Sequence, residues 1–271
     1  MTAQLWNSRL KRPVKIAETE LSQIFSGDHR LMAGVPVKLI ERSDVAEGTT
    51  AFSFERPSQF EFKAGQSADF TLISPPETDA EGNTRAFSIA SPPHEPRLMI
   101  TTRMRNSAFK RVLKSMTIGG EILIEGPFGA MTLHNNATRP AVLLAGGIGI
   151  TPFRSMILRA SHEHLPHKIT LFYANRNPEA AAFLDELLGQ QKLNANFKVV
   201  ATVSDTGKAG SIWRGERGHI DKNMIVGHVG ALNGPIYYIA GPPSMVLAMQ
   251  KLLNAAGVDD DDIRSESFSG Y

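Results

Sequence analysis

The chain has 271 residues, 42% of them hydrophobic and 21% charged, the composition of a globular protein with about two domains and sizeable cores. Its formal charge of +2 is too small to argue for nucleic acid, and its basic residues are not interleaved with an aromatic stacking surface. With no cysteine the chain carries no disulfide, thiolate metal site, catalytic thiol or cysteine-ligated iron–sulfur cluster, so any electron chemistry needs another cofactor.

No apolar run approaches the ~18 to 20 residues that cross a bilayer, and the opening "MTAQLWNSRLKRPVK" lacks the apolar segment of a signal peptide. The expectation is a cytoplasmic protein without a membrane span. Residues 1–34 show no sustained periodicity and read as an N-terminal extension, with a short helix around "AETELSQIF". From Val35 the text changes to short β-type runs: "VPVKLIE", "TAFSFERP", "FEFKAGQSADFTLI", "RAFSIASPP", "RLMITTRM" and "GEILIEGPFG". Many short strands between Gly, Pro and polar turns predict a small barrel or sandwich over residues 35–137. The helical spacing of "SAFKRVLKSM" places one helix inside it.

After "HNNATRP" strand-like "AVLLA", "KITLFYA", "FKVVATV" and "PIYYIAG" alternate with helix-like "PFRSMILRASHEH", "PEAAAFLDELLGQQ" and "SMVLAMQKLLNAAG". That alternation predicts βαβ units and a parallel sheet over residues 138–271. The first unit contains "AVLLAGGIGITPF": a buried strand, a turn of Gly146, Gly147 and Gly149, then Thr151 as a helix cap and Pro152 in the first turn. Backbone N–H groups at such a helix start, beside a turn without side chains, suit a pyrophosphate, although a structural turn explains a lone glycine pattern as well.

Three further clusters carry less. His162, His164 and His167 lack the convergence of a metal site and read as surface, so no metal is expected. Asp259–Asp262 lack the glycine and terminal glutamate of a calcium loop and read as a solvated turn. Between Arg97 and Lys114 the chain has six basic residues (Arg97, Arg103, Arg105, Lys110, Arg111 and Lys114) and no acidic one.

"RAFS" at 85–88, "GPFG" at 126–129, "GGIGITP" at 146–152, "AGPPSMV" at 240–246 and the terminal "ESFSGY" come in an order that resembles the ferredoxin-NADP reductase superfamily, over roughly residues 35–271. The resemblance implies a flavin-binding β barrel followed by an α/β nicotinamide-binding domain, with Thr-Pro in place of a third glycine. It assigns Arg85 to a flavin phosphate, Ala86 to the same segment, Phe87 to a ring face and Ser88 to flavin N5. The family more often has tyrosine where this chain has Phe87. Arg103, Ser107, Ala108 and Phe109 match a second flavin-phosphate segment, which favours FAD over FMN. Gly146, Gly147, Gly149 and Thr151 are assigned to the nicotinamide cofactor's pyrophosphate, with Thr151 also holding the two rings in register. The resemblance also sets Ala240, Gly241 and Pro242 against the nicotinamide, Ala240 standing where the family commonly has cysteine. Glu266 and an aromatic, Phe268 or Tyr271, close the flavin site. Arg176 reads either as a solvated loop residue or as the partner of an NADP 2′-phosphate, with NAD as the alternative cofactor.

The implied function is an FAD-dependent oxidoreductase taking hydride from NAD(P)H and passing electrons singly to an acidic carrier protein, ferredoxin or flavodoxin. An electron-transfer subunit of a larger complex, and a free-flavin or ferric-chelate reductase, are the alternatives.

Overall fold

The computed structural model describes residues 4–7, 12–15, 34–205 and 213–268. The chain divides into two compact units, Met1–Gly34 and Val35–Tyr271. In the first, strands β1 (Gln4–Asn7) and β2 (Arg12–Lys15) pair antiparallel, although the sequence there has no clear period. The helix expected around residues 17–25 lies outside the described residues.

The second unit opens with six strands: β3 (Val35–Ala46), β4 (Thr49–Glu55), β5 (Ser67–Leu72), β6 (Thr84–Ser88), β7 (Arg97–Arg103) and β8 (Glu121–Phe128). They form one antiparallel sheet in the order β6-β5-β8-β3-β4-β7. Just beyond β6 the Ala90 N–H donates to the Met99 carbonyl of β7 at 2.7 Å, joining the two edges so that the sheet curls into a barrel. Period-two alternation turns Ala68, Phe70 and Leu72 inward, where they meet Leu39, Phe52, Phe54 and Ile100. The long run 60–73 is a strand only from Ser67. At Gly65 (φ +97°) the backbone approaches Met131 so closely that a Cβ would lie 1.9 Å from its carbonyl oxygen, and the chain turns there. Helix α1 (Ala108–Ser115), capped by Ser107, buries Phe109, Val112 and Leu113 in the barrel core.

The remainder is a parallel sheet in the order β12-β11-β10-β9-β13-β14, from β9 (Ala141–Gly146), β10 (Ile169–Asn175), β11 (Phe197–Val203), β12 (Glu216–Arg217), β13 (Ile236–Gly241) and β14 (Ile263–Ser267). β9 and β13 are buried throughout because helices cover both faces. Leu143, Tyr173 and Tyr238 pack on one side, and Val142, Leu144, Phe172 and Tyr237 on the other. The helices are α2 (Ile150–His162), α3 (Leu184–Leu193), α4 (Lys222–Val229) and α5 (Pro243–Ala255). The expected helix from Pro178 is broken into a 3-10 turn and α3, because Asn177 caps the turn and Phe183 adopts φ +61°. Helix α4 and strands β12 and β14 are additions to the sequence reading. The barrel-then-α/β architecture is the one expected.

Candidate active site at the junction of barrel and parallel sheet

A cavity of about 420 Å³ opens where β6 and β7 of the barrel meet the start of α2 and the end of β14. Arg85, Ala86, Phe87, Ser88, Arg103, Ser107, Thr151 and Phe268, all read from the sequence, line it, together with Glu266. Phe87 is held edge-on to Phe70 (5.9 Å between centroids) and tilted against Phe109 (5.8 Å). Two lining hydroxyls, Ser88 Oγ and Thr101 Oγ1, are buried and have no hydrogen-bond partner among the described residues. Buried polar groups are almost always paired, so this cavity has the donors of a ligand site. Thr101 was missed by sequence reasoning. Its signal was period two: it shares a strand face with Arg103. Burial raises the Glu266 carboxyl above its ordinary range.

At the outer end of the cavity the donors expected to meet a phosphate are already engaged. Arg85 Nη2 lies 2.8 Å from Asp79 and 3.1 Å from Glu81, while Nη1 donates to the carbonyls of Glu81, Gly82 and Thr84. The Ala108 N–H donates to Asp79 Oδ2 at 3.0 Å, and the Ser107 side chain caps α1. Ala108 does not line the cavity, nor does Phe109. The latter is 1% exposed in the barrel core, where Arg85 packs over its ring, so a direct contact from Phe109 to a ligand is corrected to an indirect one.

A second cavity of about 500 Å³ lies at the carboxyl ends of β9, β10 and β13, the place where open α/β sheets bind ligands. Gly146, Gly147, Arg176 and Pro242 line it, with Ser204, His219, Ser244 and Met245, which sequence reasoning did not single out. Asn175 Oδ1, also in its wall, is buried without a partner among the described residues. Gly149, Ala240 and Gly241 do not line it. A Cβ on Gly149 would lie 2.0 Å from the Ala240 carbonyl oxygen, so this glycine exists for the close approach of the turn to β13. Ala240 is fully buried beneath it. Thr151 is not the helix cap: Gly149 holds that position, and Thr151, one residue inside α2, donates to the Ile148 carbonyl at 3.0 Å. Tyr271 lies outside the described residues.

The basic stretch is less free than its sequence implies. Arg97 pairs with Glu41 and Arg111 with Glu77. Lys110 donates to the Arg103 carbonyl at 2.8 Å, and burial, with Arg105 and Arg85 nearby, lowers its pKa. Arg105 and Lys114 stay exposed. Of the three histidines, His167 is corrected from surface to buried, its Nε2 2.8 Å from the His134 carbonyl, while His162 stacks on His94 with centroids 3.8 Å apart. In the acidic run Asp262 is held by a bidentate contact from Arg139 at 2.7 and 2.6 Å. Among the described residues no group of three or more His, Asp or Glu is placed to hold a metal, and no helix is long and apolar enough to cross a membrane.

Residues 143–251 match the family described as an oxidoreductase NAD-binding domain. The chain is 29% identical over 228 residues to the reductase component of propane 2-monooxygenase from Mycolicibacterium smegmatis, covering 79% of this chain and 61% of that protein. It is 26% identical over 192 residues to a reductase component of terephthalate 1,2-dioxygenase from Comamonas, covering 70% of this chain and 56% of the relative. The chain thus spans less than two thirds of the length of these relatives. Among solved structures, a ferredoxin NADP+ reductase from Neisseria gonorrhoeae with bound FAD and NADP superposes with a TM-score of 0.72 at 20% identity, over 86% of this chain and 98% of that one. The Amycolatopsis cytochrome P450 reductase GcoB gives 0.73 at 20%, over 86% and 70%. At these identities the two structures are likenesses of fold.

Proposed function

We propose that this chain is a flavoprotein oxidoreductase of the ferredoxin-NADP reductase superfamily that binds FAD in the barrel cavity and NAD(P)H in the α/β cavity. The observation that carries the reading is Arg103, which lines both cavities. The turn after β9 likewise passes from one to the other: Gly146 and Gly147 face the α/β cavity, Ile148 and Thr151 the barrel cavity. Two ligands seated there are neighbours across one wall. FAD, when bound, supplies acceptance of a hydride and release of its two electrons one at a time, chemistry that the side chains cannot perform.

The residues of the chain bind, orient and exclude water. Ser88 and Thr101 offer buried hydroxyls to the ring system, and Phe87 and Phe268 supply apolar walls. Arg176, exposed at the α/β cavity, reads the adenosine end of the nicotinamide cofactor and favours NADPH by pairing with a 2′-phosphate. No residue has to act as a general acid or base in hydride transfer. Anaerobic titration of the FAD-reconstituted protein with NADPH and with NADH tests this: bleaching of the flavin bands at one equivalent supports it. A protein that takes up neither FAD nor FMN sinks it.

The acceptor we assign is an acidic one-electron carrier protein, ferredoxin or flavodoxin, met by exposed Arg105 in the wall of the barrel cavity and by exposed Lys114 in the last turn of α1. Such a reaction slows as salt rises, because exposed charges are screened over ~8 Å at physiological ionic strength, whereas reduction of a neutral dye does not. A second reading has a specific support in the relatives named reductase components of oxygenases: the chain then serves one component of a larger system. Size measurement of the natively isolated protein, alone or in a complex, separates the two.

A further inference from the structure

We propose that the β5–β6 loop, residues 73–83, is a displaceable anionic latch in which Asp79 occupies the donors that a cofactor phosphate needs. The inference deepens the FAD reading above and rests on it. One Asp79 carboxylate bridges the Arg85 guanidinium (2.8 Å) and the Ala108 N–H at the start of α1 (3.0 Å). A cationic fork beside the free N–H groups of a helix start is a combination that binds a phosphate group. Here a carboxylate from the same chain fills it, with its two oxygens divided between the two donors.

The rest of the loop acts in the same sense. Glu81 lies 3.1 Å from the same Arg85 nitrogen and forms part of the cavity wall, and Glu77 takes Arg111. An incoming phosphate meets these carboxylates before it meets a free cation of the fork, and like charges cannot share one donor pair. The Asp79 carboxyl is held below its usual range: burial opposes this, but hydrogen bonds from Arg85 and from the Ala108 and Glu81 N–H groups prevail, so it stays ionised at neutral pH.

The loop is built to leave. None of residues 73–82 is buried, so displacement exposes no core. Left-handed backbone at Ser74 (φ +43°) and Gly82 (φ +75°) marks its two ends, positions where a few residues can absorb a change of direction. What is left behind is a ligand site in its own right, since the orphaned, buried hydroxyls of Ser88 and Thr101 belong to the same cavity.

Asp79→Asn keeps the shape of the side chain and removes its charge. The test titrates FAD, followed by flavin fluorescence, and inorganic pyrophosphate, followed by calorimetry, into wild-type apoprotein, Asp79→Asn and Asp79→Ala, with thermal melts as a folding control. The latch predicts that both variants bind both ligands about tenfold more tightly than the wild type. FAD binding that is unchanged or weaker in the variants, with a wild type that binds FAD, overturns the latch and leaves the FAD reading standing: Asp79 then merely positions Arg85. Tighter pyrophosphate binding by the variants with no flavin bound by any of the three keeps the anion latch and removes the FAD reading.

Discussion

Arg154 of α2 and Ala90 of the barrel are joined by a 2.7 Å hydrogen bond from the guanidinium to the backbone carbonyl. The same guanidinium makes two 2.7 Å contacts to Glu186 and lies 4.8 Å from the centre of the Phe183 ring, while the next residue, Ser155, donates to the Ser91 carbonyl at 2.7 Å. Two consecutive residues of the helix that follows the glycine turn thereby grip the segment that follows Ser88. The junction, and with it the register of the two cavities, depends on this grip.

Arg154→Ala should destabilise the protein by about 3 kcal/mol or more, because it leaves a buried carbonyl without its donor and Glu186 without its partner. Arg154→Lys should recover only part of this, since an ammonium cannot serve the carbonyl and both carboxylate oxygens at once. Urea unfolding measures both, and a loss below about 0.5 kcal/mol for the alanine variant would remove the junction from the stability argument.

Thr101→Val exchanges an unpaired buried hydroxyl for a methyl of similar size. The apoprotein should be as stable or slightly more so, because no hydrogen bond among the described residues is lost. FAD affinity should fall by roughly fivefold to tenfold, the worth of about one hydrogen bond. Parallel melts and fluorescence titrations separate the two effects, and undiminished FAD affinity would exclude the hydroxyl from the site.

Arg176→Ala should raise the Michaelis constant for NADPH by about tenfold and leave that for NADH nearly unchanged, since only NADPH brings a 2′-phosphate to the exposed guanidinium. Steady-state kinetics with a neutral dye acceptor decide it. Equal effects on the two cofactors speak against the assignment.

Glu266 sets a pH dependence. Its carboxyl, raised by burial above the ordinary 4.5, holds a proton in the folded state that the unfolded chain has already lost. Below pH 4.5 both states are protonated and Glu266→Gln has no electrostatic effect. As pH rises from there through the folded-state value, the wild type loses stability relative to the Gln variant, and above that window the difference stays constant. Urea melts of both proteins between about pH 4 and pH 8 should show this diverging gap, and parallel curves would show that Glu266 is solvated like an ordinary carboxylate.

Much of this could be read in one dimension, because it rests on chemistry within a few residues. The period-two runs of the barrel, the fully apolar "AVLLA" and the alternation of strands with helices each report a burial pattern that local geometry repeats. That is why the barrel followed by a parallel sheet was legible. The side chains brought to one cavity by β6, by β7 and by the start of α2 were legible only through the resemblance, which fixes their order but not their partners.

What the tertiary structure alone decided is which donors meet which acceptors. Arg85 and Asp79 are six residues apart, yet their pairing needs the β5–β6 loop to fold back over the start of α1, which no periodicity encodes. Phe109 carries the spacing of a helix face, and only the packing of α1 into the barrel turns it from the cavity to the core. Gly149 looks like part of a ligand turn, and its lack of a side chain is explained by Ala240, ninety-one positions on, in the neighbouring strand. Periodicity records how often a residue faces the interior, but the identity of its neighbour there depends on contacts between segments far apart in the chain, and a pattern in sequence spacing holds no term for them.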